Sequence, residues 1–344
     1  MEKKSKKAEI LLTYAKLIDK PPISPRQLHG KACQNDQVTI SAWHDIWLGN
    51  TRKNFEKFGD FKDKGIGQLF GQFSHLPCVV AGSGPSLKTN GHLLKDRNKQ
   101  MKVVSCLHNF HYFEDLDVDV DYYVTLDSGK IVIDEVYEGG EHDEDWYWER
   151  SKDKKLLAFI GTDPKLFEKW QGEVYFFNCP ISDPDFSELS KELDFHTYIG
   201  TGGNVLGAST YIAKAIFGSG AVVFIGADFS FANYNVEKPM FHAWESQYDK
   251  DIGNTIPMVD VYGNKVLSWP SYANFKAWFD YIVMVVPGIW INCTEGGTLG
   301  AYPDGVLMNV KPMDLADCLR MYEMYDEMRD QCENPSTTVK KLLF

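Results

Sequence analysis

Four short stretches of this chain carry the residue types that chemistry needs. The first is CVVAGSGPSLKTN, residues 78–90. An apolar run leads into Gly82-Ser83-Gly84-Pro85-Ser86. Two glycines let the backbone turn sharply and bring its N–H groups close to a bound anion. A following helix would aim its positive end at the same point. Pro85 suits a first helical turn and Ser86 adds a hydroxyl. The second is a pair of acids that close apolar runs, Asp127 in DYYVTLD and Asp228 in AVVFIGAD. A carboxylate at the end of a strand can hold Mg²⁺ against a nucleotide phosphate or accept a hydrogen bond from a ribose hydroxyl. The third is GTGGNVLGAS, where Gly202, Gly203 and Asn204 open a helix. The fourth is NCTEGGTLG, where Thr294 and Glu295 can hydrogen-bond and Gly296-Gly297 allows close backbone approach.

Each stretch also has a plain reading. The glycine loop could be a tight turn with no ligand. Asp127, followed by Ser128-Gly129, and Asp228 could be helix caps. Two familiar nucleotide loops do not match. The dinucleotide fingerprint GxGxxG needs a third glycine where Leu87 stands and an acid after the next strand, where Val103-Val104-Ser105-Cys106 has none. The Walker pattern also fails, with Leu87 in place of the glycine before Lys88-Thr89. His108, His111, His196 and His242 are the candidate bases. His242 stands out because it follows Asp228 in the long aromatic segment FSFANYNVEKPMFHAWESQYD, of a kind that closes over substrates. If the first loop feeds N–H groups to phosphate, Gly84→Val should abolish nucleotide binding while leaving the fold largely intact.

The elements that must position these residues are legible as texture. Apolar runs at Pro77–Ala81, Lys102–Leu107, Tyr122–Leu126, Leu156–Ile160, Val174–Phe177, Val222–Ile225 and Ile289–Asn292 alternate with helix-compatible segments. Most are apolar on both faces, as in parallel strands covered by helices. This predicts a Rossmann-like α/β fold, a mostly parallel sheet with helices on both faces. The spacing predicts helices over Asn204–Phe217, from Pro270 and over about Met313–Arg329, and a hairpin turning at Gly263–Asn264. Residues 1–75 read as a helical N-terminal cap, 76–310 as the catalytic domain and 311–344 as a C-terminal helix and tail. Trp43 and Trp47 share one face of a cap helix. DEVYEGGEHDEDWYWER, residues 134–150, carries eight acids and reads as an exposed insertion.

Composition narrows the partners. The 344 residues are 44% hydrophobic and 24% charged, which is globular and not disordered. A net charge of −12 disfavours general nucleic-acid binding, which draws on Lys and Arg. Seven scattered cysteines, with no CxxC, predict neither a disulfide framework nor a zinc site. No apolar run is long enough to span a bilayer, and the basic start is not a signal peptide. The expectation is a soluble cytoplasmic protein whose partners are a small-molecule nucleotide and its acceptor. Its oligomeric state is left open.

In this order, the strand into GSGPSL, the strand ending Leu126-Asp127, GGNVLGAS, FIGADFSF, VYGNKV and NCTEGG resemble the MptE-like family. The resemblance covers roughly residues 76–310, and SAWHDIWLGNTRKNF resembles the lead-in of bacterial and phage members. The family takes its name from archaeal 6-hydroxymethylpterin diphosphokinase and includes bacterial motility accessory factors. More distantly, the GxGPSLK loop and His108-Asn109-Phe110-His111-Tyr112-Phe113-Glu114-Asp115 resemble bacterial CMP-sialic acid transferases. Their catalytic histidine would fall near Val259–Ser268, where this chain has none. The resemblance implies a nucleotide-dependent transferase. Its lead form is diphosphate transfer from Mg-ATP to a hydroxymethyl acceptor. There Gly82–Ser86 hold phosphate, and Asp127 and Asp228 hold Mg²⁺ or orient the acceptor. The alternative is a glycosyltransferase using a CMP-nonulosonate or similar nucleotide-sugar donor. A non-catalytic nucleotide-binding or scaffold protein is the third reading.

Overall fold

The computed structural model describes residues 17–32, 36–231 and 255–333. Among the described residues there are twelve strands: β1 (Pro77–Ala81), β2 (Lys102–Cys106), β3 (Tyr122–Thr125), β4 (Lys155–Phe159), β5 (Glu173–Phe177), β6 (Ala221–Ile225), β7 (Ile256–Val259), β8 (Lys265–Ser268), β9 (Ile289–Asn292), β10 (Ala301–Tyr302), β11 (Gly305–Val306) and β12 (Val310–Pro312). Eight of them form one sheet in the order β12-β9-β6-β1-β2-β3-β4-β5. Every pairing in it is parallel. Parallel strands need crossover connections, and helices supply most of them. The fold is therefore the expected α/β sheet with helices packed around it.

The strand order decides where a ligand can enter. From β1 the chain steps outward through β2, β3, β4 and β5. It then returns to β6 on the other side of β1 and steps outward through β9 and β12. The connections leave β1 and β6 in opposite directions, so their carboxyl ends part into a crevice, where such sheets bind ligands. β1 and β6 run in register from Pro77–Ala221 to Ala81–Ile225. The GSGPS and GADF loops thus leave the sheet side by side.

Burial follows the sequence pattern. Cys78 to Ala81 and Val222 to Ile225 are fully buried, because helices cover the central strands. The helix Val205–Tyr211, continued by a π turn Ile212–Ile216, lies over β1, β2 and β3. The helix Pro270–Val285 starts at the expected proline and sets Phe279 edge-on against Phe224 of β6. Ahead of β1, the helix Asp36–Phe58 packs Trp47 against Phe159 and Phe186. On the same helix Asn50 Nδ2 donates to Ser128 O (3.0 Å) and Gly161 O (3.1 Å). Asn54 Nδ2 donates to Ile160 O (2.9 Å) and Thr162 O (2.8 Å). The N-terminal helix therefore clasps the loops that leave β3 and β4. β7 and β8 form the expected hairpin, with Gly263 left-handed at φ 83°. The last helix runs Leu315–Glu333.

Residues 134–150 keep most of their acids exposed, as expected of an insertion, but the segment is packed on the domain rather than free. The helix Glu144–Arg150 buries Tyr147 and Trp148, and Val132 and Val136 are buried just ahead of it. Most of the acids do stay on the outside, but Glu135 is half-buried and turns inward. No helix among the described residues is long and apolar enough to cross a membrane.

Candidate active site

The glycine loop after β1 is engaged by a second loop. Gly82 N–H donates to Ile225 O (2.9 Å) and Gly84 N–H donates to Gly226 O (2.8 Å). Gly226 is left-handed at φ 58°, and a Cβ on it would overlap Gly82 O. A Cβ on Gly82 would stand 2.5 Å from Gly226 O. On Gly84 it would overlap the Asp228 carboxylate and stand 2.6 Å from Gly226 O. Three glycines are thus what lets two loop backbones touch. Ser86 completes the joint: its Oγ donates to Asp228 Oδ2 (2.8 Å) and its N–H to the same oxygen (3.4 Å).

This corrects the expectation for Gly82 and Gly84. Their N–H groups are spent on the β6 loop. Gly84 is not left-handed, and although Gly82 and Gly84 line the crevice, the side on which a Cβ would stand is filled by the β6 loop. Ser83, whose N–H takes no part in these bonds, lines the crevice beside them. Pro85 is buried behind the loop.

The crevice has a volume of about 310 Å³. Its floor is the strand ends, with Cys106, Thr125, Asp127 and Asp228. One wall is the entry to the helix Val205–Tyr211. There Gly202 (φ 58°) and Gly203 (φ 81°) make the left-handed turn, and Asn204 Oδ1 caps by accepting from Gly207 N–H (2.9 Å). Gly203 and Asn204 line the crevice, whereas Gly202 sits against Trp278. The lining is also aromatic, with Phe229, Tyr272 and Phe275; Phe275 stands against Gly203, and Tyr272 and Phe275 are edge-to-face at 5.4 Å. His108 lies at the end of β2 and lines the same space. No lysine or arginine is among the described residues that line it.

The two strand-end aspartates share this crevice but differ in state. Burial raises the Asp228 carboxyl to about 7, although the Ser86 bonds pull the other way. Burial also raises Asp127, to about 6. Glu135 faces into the crevice as well, and burial followed by the Asp127 charge pushes it well above the usual carboxylate range. Sequence reading missed Glu135 because it sits in an acidic run. The signal was there in Val132 and Val136, whose helical spacing marks a packed turn. Tyr272 and Phe275 were missed because aromatics at that spacing read as helix core.

The remaining candidates lie elsewhere. Thr294, Glu295, Gly296 and Gly297 do not line the crevice. Glu295 Oε1 accepts from Asn90 Nδ2 (3.1 Å) and from Leu315 N–H (3.1 Å), tying the last helix to the β1 loop. Gly297, at φ 71°, packs under the Asp228 backbone, and Thr298 N–H donates to Asp228 O (2.8 Å). The NCTEGG segment therefore braces the β6 loop from behind. His111 is buried beside the crevice, and burial lowers it to about 4, so it is neutral at pH 7. His196 is exposed beside Asp194. His242 lies outside the described residues.

Magnesium shared by Asp127 and Asp228 alone does not fit this arrangement. Asp228 Oδ2 is held by Ser86. The described histidines, cysteines and acids that gather at metal-ligand spacing are His44, Asp183 and Asp185, away from the crevice lining. A divalent ion carried by a nucleotide would find Asp127 as its protein ligand.

With this geometry in place, likeness to known proteins becomes informative. Residues 50–234 match the family described as 6-hydroxymethylpterin diphosphokinase MptE-like, and the chain belongs to that family. The matched span holds the glycine loop, Asp127, Glu135, the Asn204 turn and Asp228. A comparison with curated proteins gives no match. Among solved structures, the MAf glycosyltransferase from Magnetospirillum magneticum AMB-1 superposes with a TM-score of 0.51 at 16% identity. The match covers 74% of this chain and 38% of that one, and it speaks to the fold.

Proposed function

We propose that the protein is a nucleotide-dependent transferase that moves a glycosyl group from a nucleotide sugar to an acceptor hydroxyl. The observation that carries this reading is the crevice lining: three carboxyl groups, an aromatic wall and no lysine or arginine among the described residues. Diphosphate transfer from ATP develops charge that Lys, Arg or metal ions must neutralise. Here the described lining residues present carboxyl groups. A nucleoside monophosphate sugar brings far less charge than ATP. Its base has Tyr272 and Phe275 to stack on, and its phosphate has Ser83 and the entry turn of the helix Val205–Tyr211.

In this mechanism Asp127 is the general base. A carboxylate near 6 is largely ionised at pH 7, yet basic enough to take a proton from an acceptor hydroxyl as it attacks. Asp228 holds the β1 loop rather than reacting. The neighbour from Magnetospirillum magneticum is named a glycosyltransferase, which agrees with this reading, although this chain matches only 38% of it. Diphosphate transfer is the second reading, favoured by the description of the family. Mg²⁺ would then arrive with the nucleotide, with Asp127 to receive it.

Thermal shift against CMP, CDP, UDP and ATP, each with and without Mg²⁺, tests the choice. A ligand at 100 times its Kd adds about 2.7 kcal/mol to the stability of the native state. Stabilisation by a pyrimidine nucleotide without Mg²⁺, lost in Phe275→Ala, supports glycosyl transfer. A response confined to ATP with Mg²⁺ moves the assignment to diphosphate transfer. No response to any of them leaves a scaffold.

A further inference from the structure

We propose that His44, Asp183 and Asp185 form a zinc site that staples the N-terminal helix to the loop after β5. The site lies outside the crevice, and the inference is independent of the reaction proposed there. His44 stands on the helix Asp36–Phe58. Both aspartates open the helix Pro184–Glu192, Asp183 as its cap and Asp185 in its first turn. The three ligand atoms lie within 4.8 Å of one another. Cysteine spacing predicts no zinc site in this chain, but this donor set needs no thiolate.

The distances are those of ligands around one ion. His44 Nε2 stands 3.2 Å from Asp185 Oδ2 and 3.5 Å from Asp183 Oδ1. Zinc binds imidazole and carboxylate at about 2.0–2.2 Å in a tetrahedron, which sets neighbouring ligand atoms about 3.3–3.6 Å apart. Three protein ligands leave the fourth position to water. The surrounding groups suit a metal as well. The other ring nitrogen, Nδ1, pairs with Asp45 Oδ1 at 2.8 Å. A zinc-bound imidazole characteristically gives its remaining N–H to such a carboxylate, which orients the ring. Asp183 Oδ1 accepts from Phe186 N–H (2.9 Å), which fixes the second ligand.

Charge and shape point the same way. Among the described residues, every ion pair of Asp45, Asp183 and Asp185 is with His44. A protonated imidazole alone sets one positive charge against three carboxylates, and a divalent ion beside a neutral imidazole balances them better. The loop that carries both aspartates also borders a second cavity of about 400 Å³, lined in part by Ser182, Phe186, Ser187 and Tyr198. The cluster therefore adjoins a concave part of the surface. An imidazole ligand and tetrahedral spacing select zinc over magnesium, which demands octahedral oxygen ligands. The bound ion would brace more than its own loop, because the same helix holds Ser128 O, Gly161 O, Ile160 O and Thr162 O through Asn50 and Asn54.

The test uses the full chain without an affinity tag, stripped by a chelator and titrated at pH 7.5. With Co²⁺, wild type should develop the visible bands of a tetrahedral ion at one equivalent, and Zn²⁺ should bleach them. Zn²⁺, and not Mg²⁺, should raise the melting temperature, since an ion that binds only the native state stabilises it. His44→Ala and Asp185→Asn should each remove the cobalt bands and the zinc-dependent rise, with wild-type far-UV circular dichroism verifying the fold. Asp45→Asn should weaken zinc binding by about 10–100-fold, the range for a carboxylate behind a ligand. Asp127→Asn should leave both signals unchanged. Absence of a cobalt spectrum in wild type overturns the site and leaves His44 as an ion-pair partner. Zinc binding that survives both His44→Ala and Asp185→Asn, or that is lost in Asp127→Asn, also overturns it, the latter by assigning the ion to the crevice.

Discussion

Gly84→Ala adds one methyl group at the joint between the β1 and β6 loops. The new carbon would overlap the Asp228 carboxylate and stand 2.6 Å from Gly226 O. Both are fixed, one by Ser86 and the other by the Gly84 N–H itself. Something must therefore move, and the two bonds that hold the joint are the first to go. A buried backbone hydrogen bond is worth about 0.5–1.5 kcal/mol and one to a charged group about 1.5–3 kcal/mol, so the loss is about 2–4 kcal/mol. Domains of 150–250 residues shift by about 2–4 °C per kcal/mol, which places the fall in melting temperature at about 4–16 °C. Thermal unfolding of wild type, Gly84→Ala and Ser86→Ala, each with and without the best nucleotide ligand, measures this. Ser86→Ala should fall by less, since it removes a hydroxyl and adds no atom. A Gly84→Ala protein with wild-type melting temperature and lost nucleotide affinity would instead place this glycine against the phosphate.

Other consequences are equally direct. Burial raises the Asp228 carboxyl to about 7 from an ordinary 3.8, so the native state holds its proton more tightly than the unfolded chain. Its contribution to stability is full below about pH 4 and is lost as pH rises through 7. In urea titrations, the stability difference between wild type and Asp228→Asn should fall across that window by an amount on the order of a few kcal/mol. Asn54→Ala unsatisfies Ile160 O and Thr162 O together and should cost about 2–4 kcal/mol in the same assay. Lys276→Met leaves the buried Asp280 facing Tyr302 and the Gly300 N–H without its cation, at a cost of about 3–5 kcal/mol. Adding Asp280→Asn should recover much of that, and no recovery would assign the cost to the lost lysine stem instead.

The strands were legible because burial on both faces leaves an unmistakable mark. Val222–Ile225 is apolar throughout and Ile289–Asn292 is apolar up to its last residue, and they are β6 and β9 or nearly so. β12 was not legible, because Val310-Lys311-Pro312 is short and ends in a residue that cannot donate to a ladder. The strand order was not legible either, since pairing depends on contacts far apart in sequence. Strand-end logic did bring Asp127 and Asp228 to one crevice. It failed for NCTEGG, where glycines and a glutamate look like a ligand loop. The partners of Glu295 are Asn90 and Leu315, and nothing local reveals them. Glu135 was hidden for the opposite reason, being one turned-in acid among seven that follow or precede it in a charged run.

The GSGPS loop shows what a glycine pattern can and cannot say. Glycine is required wherever an oxygen must come close to a backbone, and the requirement is the same for a phosphate as for a peptide carbonyl. The pattern identifies a close approach and leaves the approaching group open. Here the group is Gly226 O, and behind it Asp228. This divides the labour between two aspartates that look alike in sequence. Asp228, bonded by Ser86, keeps the two loops joined at the point where the strand order reverses. Asp127 has its N–H bonded to Thr125 Oγ1, while its carboxyl faces the crevice beside Glu135. Substitutions at Asp228 should therefore act first on stability and only through it on binding. Those at Asp127 should act on turnover in a protein that still folds.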